Sequence, residues 1–178
     1  MMDKKKFGGW VIKVSTQLTD EEKEIFDVLK KLIGATYTPI AHLGTQVVNG
    51  INHAFLAEQT IICANGAKNI VLVIINKSSE INVLSIEDVL KENKAHGGIS
   101  VNPTTDIPAE AKKALDKVLE NFVGAKVNPF AFLGTQVVTG INYFFAAEVT
   151  PLYPNAETSI ALVVANDMCD TLEFSVIL

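Results

Sequence analysis

The chain has 178 residues, a formal charge of −5 and 48% hydrophobic residues. That balance excludes extensive disorder, and the lack of a basic block excludes nucleic acid and anionic membrane as expected partners. The length accommodates one medium domain or two small ones.

At the start of the chain, Lys4 to Lys6 form a short basic run that reads as a solvated tail. Phe7, Gly8, Gly9 and Trp10 follow where a secretory leader would need a long apolar stretch. An extended segment comes next. Thr19 and Glu22 have the spacing of a capping box, and Ile25, Phe26, Leu29, Leu32 and Ile33 lie at helical spacing behind it. Gly34 is the expected end of that helix. Four strands are then predicted, from about Tyr37 to Val48, Ile51 to Ile62, Ile70 to Ile75 and Ile81 to Ile86. The run Ile70 to Ile75 is far too short to span a bilayer, so the expectation is a soluble, cytoplasmic protein without an export signal. Glu87 to His96 is rich in charged and amide side chains and reads as a linker, with Ser85 to Leu90 a possible helical turn.

From Gly97-Gly98 onward the pattern begins again. Pro108 opens a second helix with the apolar face Leu115, Val118, Leu119, Phe122 and Val123, closed by Gly124. The stretch GTQVVNGINHAF starting at Gly44 returns as GTQVVTGINYFF starting at Gly134, ninety positions later (134 − 44 = 90). Gly34, Pro39, Leu43, Asn52, Phe55 and Glu58 all have identical partners at the same offset. Similarity of that extent marks duplication of a whole set of elements, longer than a solenoid unit. The expected division is residues 1–92 and 93–178.

Val47-Val48 and Val137-Val138 sit beside turn glycines, where side chains normally face water. Alternation along a strand sends adjacent residues to opposite faces, so at least one valine of each pair is expected to be exposed. Asn49-Gly50 alone suggests a type I′ turn, but its counterpart Thr139-Gly140 resists positive φ at the threonine. A longer loop, a type I turn closed by a glycine bulge with only the glycine left-handed, is therefore expected.

Gln46-Val47-Val48-Asn49-Gly50 and Gln136-Val137-Val138-Thr139-Gly140 resemble the Gln-Val-Val-x-Gly loop of cystatins, protein inhibitors of papain-like cysteine proteases. Gly8-Gly9 and Gly97-Gly98 stand before the predicted helices as the glycine pair does in that family, and the stretch Thr38 to Gly50 resembles the stefin branch. The resemblance implies an α+β fold of two tandem cystatin-like domains, each one α-helix packed on a curved antiparallel β-sheet. It also implies reversible, non-covalent inhibition, with Phe7, Gly8 and Gly9 as a trunk in the unprimed cleft and the valine hairpin in the primed cleft. The protease-binding residues would be Phe7, Gly8, Gly9, Gln46, Val47, Val48, Asn49, Gly50, Gly97, Gly98, Gln136, Val137, Val138, Thr139 and Gly140. No cofactor, metal or catalytic residue is implied. The second hairpins depart from the family, with Asn76 to Glu80 and Asn166 to Asp170 where many cystatins carry Pro-Trp.

Two rival classes stand beside this reading. A non-inhibitory cystatin-fold interaction module would use the same tips for another protein. An enzyme would enlist His42, His53 and Glu58, but the histidines are replaced by Phe132 and Tyr143 in the repeat, which suits packing positions better than a base or ligand. Cys63 answers to Tyr153, and neither it nor Cys169 suggests a disulfide framework. Both are expected to be reduced and half-buried.

Overall fold

Thr19 Oγ1 accepts a hydrogen bond from the Glu22 amide at 3.2 Å, and Glu22 Oε2 accepts from the Thr19 amide at 2.8 Å. This reciprocal cap satisfies two otherwise orphaned donors and starts α1 (Asp20–Phe26), which tightens into a 3₁₀ turn over Asp27–Lys31. Leu32 is already extended, and Gly34 takes a φ of 96° to turn the chain into the next strand. The second helix, α2 (Ala109–Leu119), begins behind Pro108. The computed structural model describes residues 8–178.

Among the described residues, ten strands form two antiparallel sheets of five. The first contains β1 (Trp10–Ser15), β2 (Ala35–Val48), β3 (Gly50–Ile61), β4 (Lys68–Lys77) and β5 (Ile81–Lys91), in that order across the sheet. The second contains β6 (Ile99–Thr104), β7 (Ala125–Val138), β8 (Gly140–Pro151), β9 (Ser159–Asn166) and β10 (Leu172–Val176), again in sequence order. Even the irregularities repeat. Register shifts between Pro39 and Ala41 and between His42 and Gly44 recur between Pro129 and Ala131 and between Phe132 and Gly134.

These observations correct the expected α+β class. The described chain is mostly strand, with two five-stranded antiparallel sheets and only two short helices, and it is not a pair of cystatin-like domains each built as a helix packed on a sheet. The physical reason lies in two places. Leu32, Ile33 and Val123, read as continuing the helical faces, are exposed, and both helices stop before reaching them. The largest side-chain cluster lies instead between the sheets, where Ile40, Leu43, Ala54, Leu56, Ile70 and Leu72 meet Val101, Leu133, Phe144, Ala146 and Ile160. The helices contribute smaller clusters on the outer faces: Ile25, Phe26 and Leu29 over Phe55 and Val73, and Ala114, Leu115 and Val118 over Phe145 and Val163. Strands β3 and β8 are thus buried on both faces, which is what near-continuous apolar runs require.

The segment read as a linker is also shorter than expected. Strand β5 continues through Ser85 to Leu90 up to Lys91, in place of a helical turn. The remaining connection to β6 is pinned to the first sheet, for Lys94 Nζ donates to the Asn65 carbonyl at 2.7 Å and the Glu92 amide donates to the Lys68 carbonyl at 3.2 Å.

Candidate functional site

Each Gln-Val-Val-x-Gly segment occupies the tip where β2 turns into β3, or β7 into β8. Val48 pairs directly with Gly50 and Val138 with Gly140, leaving only Asn49 or Thr139 between the strands. The reversal is therefore tighter than the longer loop expected. The glycines alone supply the left-handed backbone, with φ of 90° at Gly50 and 79° at Gly140, while neither Asn49 nor Thr139 has positive φ. That division explains how a β-branched threonine is tolerated. At the base of each tip, a Cβ on Gly44 would fall 2.3 Å from the Val11 carbonyl oxygen and one on Gly134 2.1 Å from that of Ser100. The bare backbone lets β1 and β6 pair closely with the hairpin strand.

A relay of amide side chains ties three segments together at each tip. Gln46 Nε2 donates to the Gly8 carbonyl at 2.7 Å, Asn52 Nδ2 to Gln46 Oε1 at 2.9 Å, and Asn76 Nδ2 to Asn52 Oδ1 at 2.8 Å and to the Asn49 carbonyl at 3.2 Å. The second half repeats it with Gln136 to Gly97 at 2.9 Å, Asn142 to Gln136 at 3.1 Å, and Asn166 to Asn142 at 2.9 Å and to Thr139 at 3.1 Å. Glycine trunk, valine tip and second hairpin are thereby held in one register. Asn76 and Asn166 were not among the residues singled out from the sequence as binding residues. Their identity at the ninety-residue offset was the available signal.

The side chains left facing water are apolar. Val47 and Val48 are each 44% exposed, Val137 67% and Val138 45%, and Ile51 opposite Val47 is 41% exposed. All four valines are therefore exposed, where at least one per pair was expected. Beside them the two second hairpins differ. Ser78 and Ser79 stand in the first, and exposed Met168 with Cys169 in the second. Asn166 Oδ1 accepts from the amides of Met168 and Cys169 at 2.8 and 2.7 Å, and Asp167 accepts from the Ile141 amide at 2.8 Å.

The two tips lie at opposite ends of the first sheet. Gly97-Gly98 adjoins the connection held by Asn65, in the turn that joins β3 to β4, whereas Val48 is at the other end of β3. Twelve residues of strand place those ends about 40 Å apart. The second glycine pair is also locked in a turn, since a Cβ on Gly98 would lie 1.9 Å from the Asn93 carbonyl oxygen. Phe7 lies outside the described residues.

Of the groups an enzyme would enlist, His42 and His53 are brought together, but Glu58 lies apart from them. His42 and His53 are buried between α1 and the sheet, with His42 Nε2 3.2 Å from His53 Nδ1 and His42 Nδ1 3.3 Å from Glu22 Oε1. Burial pushes both imidazoles below the usual histidine range, against the opposing pull of Glu22 on His42 and of Glu21 and Glu22 on His53. Glu58 pairs with Lys68 at 3.4 Å and lines the rim between the sheets near Thr104. A cavity of about 600 Å³ beside α1 is walled by Phe26, Leu29, Leu32, Tyr37, Pro39 and Ile62 and includes neither histidine. Cys63 and Cys169 are free thiols and exposed, not half-buried as expected. Among the described residues no three His, Cys, Asp or Glu side chains are grouped to hold a metal ion, and no helix is long and apolar enough to cross a membrane. In comparisons with known proteins, the chain matches no family model, no curated protein and no solved structure.

Proposed function

We propose that the chain is a reversible, non-covalent protein inhibitor of papain-like cysteine proteases, working through its two valine tips. The observation that carries this reading is the repeated register of glycine trunk and Gln-Val-Val-x-Gly tip, fixed twice by the same glutamine-to-glycine hydrogen bond. A rigid tip with exposed valines loses little conformational freedom on entering an apolar cleft. Each fully buried valine contributes about 1.5–3 kcal/mol of transfer free energy before association costs. The trunk glycines allow backbone to approach a catalytic cysteine without a Cβ clash. Nothing in the tips presents a bond for the protease to cleave, and Cys63 and Cys169 take no part. In this reading the chain is not an enzyme and needs no cofactor; its partner is a protein, and its setting is the cytoplasm.

A second reading, a non-inhibitory protein-interaction module, draws on Ser78 and Ser79, which put polar groups in the hairpin next to the first tip. Titration of papain with the full chain, using a fluorogenic peptide substrate, separates the two. Saturable, dilution-reversible loss of activity supports the inhibitor. Full activity at a large excess of the chain leaves the interaction module.

A further inference from the structure

The paired histidines beneath α1 have no counterpart in the second half, where Phe132 and Tyr143 fill the same places, and the proposed inhibition makes no use of them. His42 projects from β2 and His53 from β3 into the space under α1, edge-on to Phe55 and stacked with it respectively. Glu22, on the first turn of α1, faces His42 Nδ1. That carboxylate selects the tautomer in which Nδ1 carries the proton, leaving His42 Nε2 as an acceptor for the Nδ1–H of His53. The other charged groups facing the pair are Glu21 on α1 and Lys77 on β4, which are themselves ion-paired.

This geometry tolerates one added proton and not two. Protonating His53 at Nε2 keeps its Nδ1–H donating to His42. Protonating His42 at Nε2 as well sets two N–H donors against each other at 3.2 Å in a buried space, with two cations beside one another. Glu22 is also the residue whose carboxylate caps α1, so parting of the rings acts directly on the helix start.

We propose that His42 and His53 form an acid-operated latch: when both ionise, the rings separate and α1 lifts from the first sheet, while α2 stays seated on the second. The linkage runs in the matching direction. Each folded-state value lies below the unfolded one, so the stability these groups confer is complete above about pH 6.5 and is lost as pH falls through the folded values. The second half carries aromatic side chains at both positions and has no such transition.

Amide hydrogen exchange on the full chain, corrected for intrinsic rates, tests the latch between about pH 7.5 and pH 4.5, on either side of the histidine range. Protection of residues 20–31 is expected to fall at least about tenfold more than that of 109–119. The double variant His42→Phe with His53→Tyr, which installs the residues of the second half, is expected to abolish that difference. Equal protection of both helices at acid pH in the native chain, or an undiminished difference in the variant, overturns the proposal. If the variant fails to fold, the imidazole Cε1–H titration of the native chain decides. Two coupled transitions displaced to acid pH, with exchange of α1 following the second, support the latch, and two independent transitions near the ordinary histidine value sink it.

Discussion

Asn166 donates to the Thr139 carbonyl over 3.1 Å, fastening the second hairpin of its half to the turn residue of the first. The same side chain donates to Asn142 and accepts from the Met168 and Cys169 amides, so a single amide serves as the junction of the whole tip. Asn76 makes two corresponding bonds, to Asn49 and Asn52. Ser78 in that half has its amide on the Glu80 carbonyl instead.

Asn166→Ala is expected to destabilise the protein by about 1–3 kcal/mol, because Asn166 is buried and its loss strands several partners. Asn76→Ala is expected to cost less. Urea unfolding of the two variants compares them directly, and equal losses would mean that the extra amide bonds contribute nothing.

Gln46→Leu removes the bond that registers the first trunk against the tip, together with the acceptor of Asn52, of which only the first bears on the trunk. Inhibition of papain by a chain whose second tip is disabled by Val137→Asp and Val138→Asp is expected to weaken roughly 2- to 10-fold, the equivalent of about 0.5–1.5 kcal/mol for one hydrogen bond. The folded state is expected to be unchanged by circular dichroism. An undiminished inhibition constant would show that the trunk finds its place without the glutamine.

Because the tips lie at opposite ends of the first sheet, one chain is expected to hold two papain molecules at once. Sedimentation of mixtures should show a complex of one chain with two proteases. Val47→Asp with Val48→Asp, or Val137→Asp with Val138→Asp, should each reduce it to one, by placing carboxylates in a dry cleft. Since all four valines are exposed, neither pair of substitutions is expected to lower the melting temperature appreciably. A one-to-one limit with the native chain would contradict the separation of the two tips as binding surfaces.

The two tips are expected to differ in strength. Gly98 is wedged against Asn93, and Gly97 is bracketed by a turn bonded to the first sheet, so the second trunk must break contacts to extend into a cleft. The chain carrying Val137→Asp and Val138→Asp should therefore inhibit more tightly than the one carrying Val47→Asp and Val48→Asp. Phe7→Ala, which shortens the side chain preceding the first glycine pair, should remove most of that difference. Equal inhibition constants would show that trunk freedom is irrelevant.

Leu43→Ala in the cluster between the sheets is expected to cost about 2–5 kcal/mol. It should lower protection against hydrogen exchange in β7 to β9 as well as in β2 to β4, because both sheets bury the same cluster. Cleavage of the chain within 92–98 should leave the fragments eluting together in gel filtration. Independent release of two fragments would show that the inter-sheet contact is weak.

The capping box, the hairpin pairs and the left-handed glycines were legible because each rests on a few neighbouring residues. Thr19 with Glu22 fixed the helix start, and Thr139 at the place of Asn49 in the second repeat excluded the two-residue mirror turn. The helix ends were not legible. Leu32, Ile33 and Val123 keep helical spacing, and periodicity cannot tell an apolar residue on a helix from one on the extended exit that follows. Stacking of the sheets was written in Ala54 to Ala57 and Ile70 to Val73, whose unbroken apolar character signals burial on both faces, but a single-helix cover satisfied the pattern on one face and hid the demand of the other. The valine tips were visible as a repeated anomaly. The amide relay was not, since Gln46, Asn52 and Asn76 meet only once three strands are in register.

The cluster between the sheets is assembled from matching positions of the two repeats: Ala41 with Ala131, Leu43 with Leu133, Ala54 with Phe144, Leu56 with Ala146, Ile70 with Ile160. A self-complementary surface of this kind is what a symmetric homodimer buries. A forebear with one copy of the repeat would have met its own twin across this face, and its persistence would have risen and fallen with its abundance by mass action. Joining two copies through the short connection at 92–98 turns that encounter into an intramolecular one. Dilution no longer parts the pair, and the two sides of the face need no longer be identical, as Ala54 with Phe144 and Leu56 with Ala146 at matching positions show.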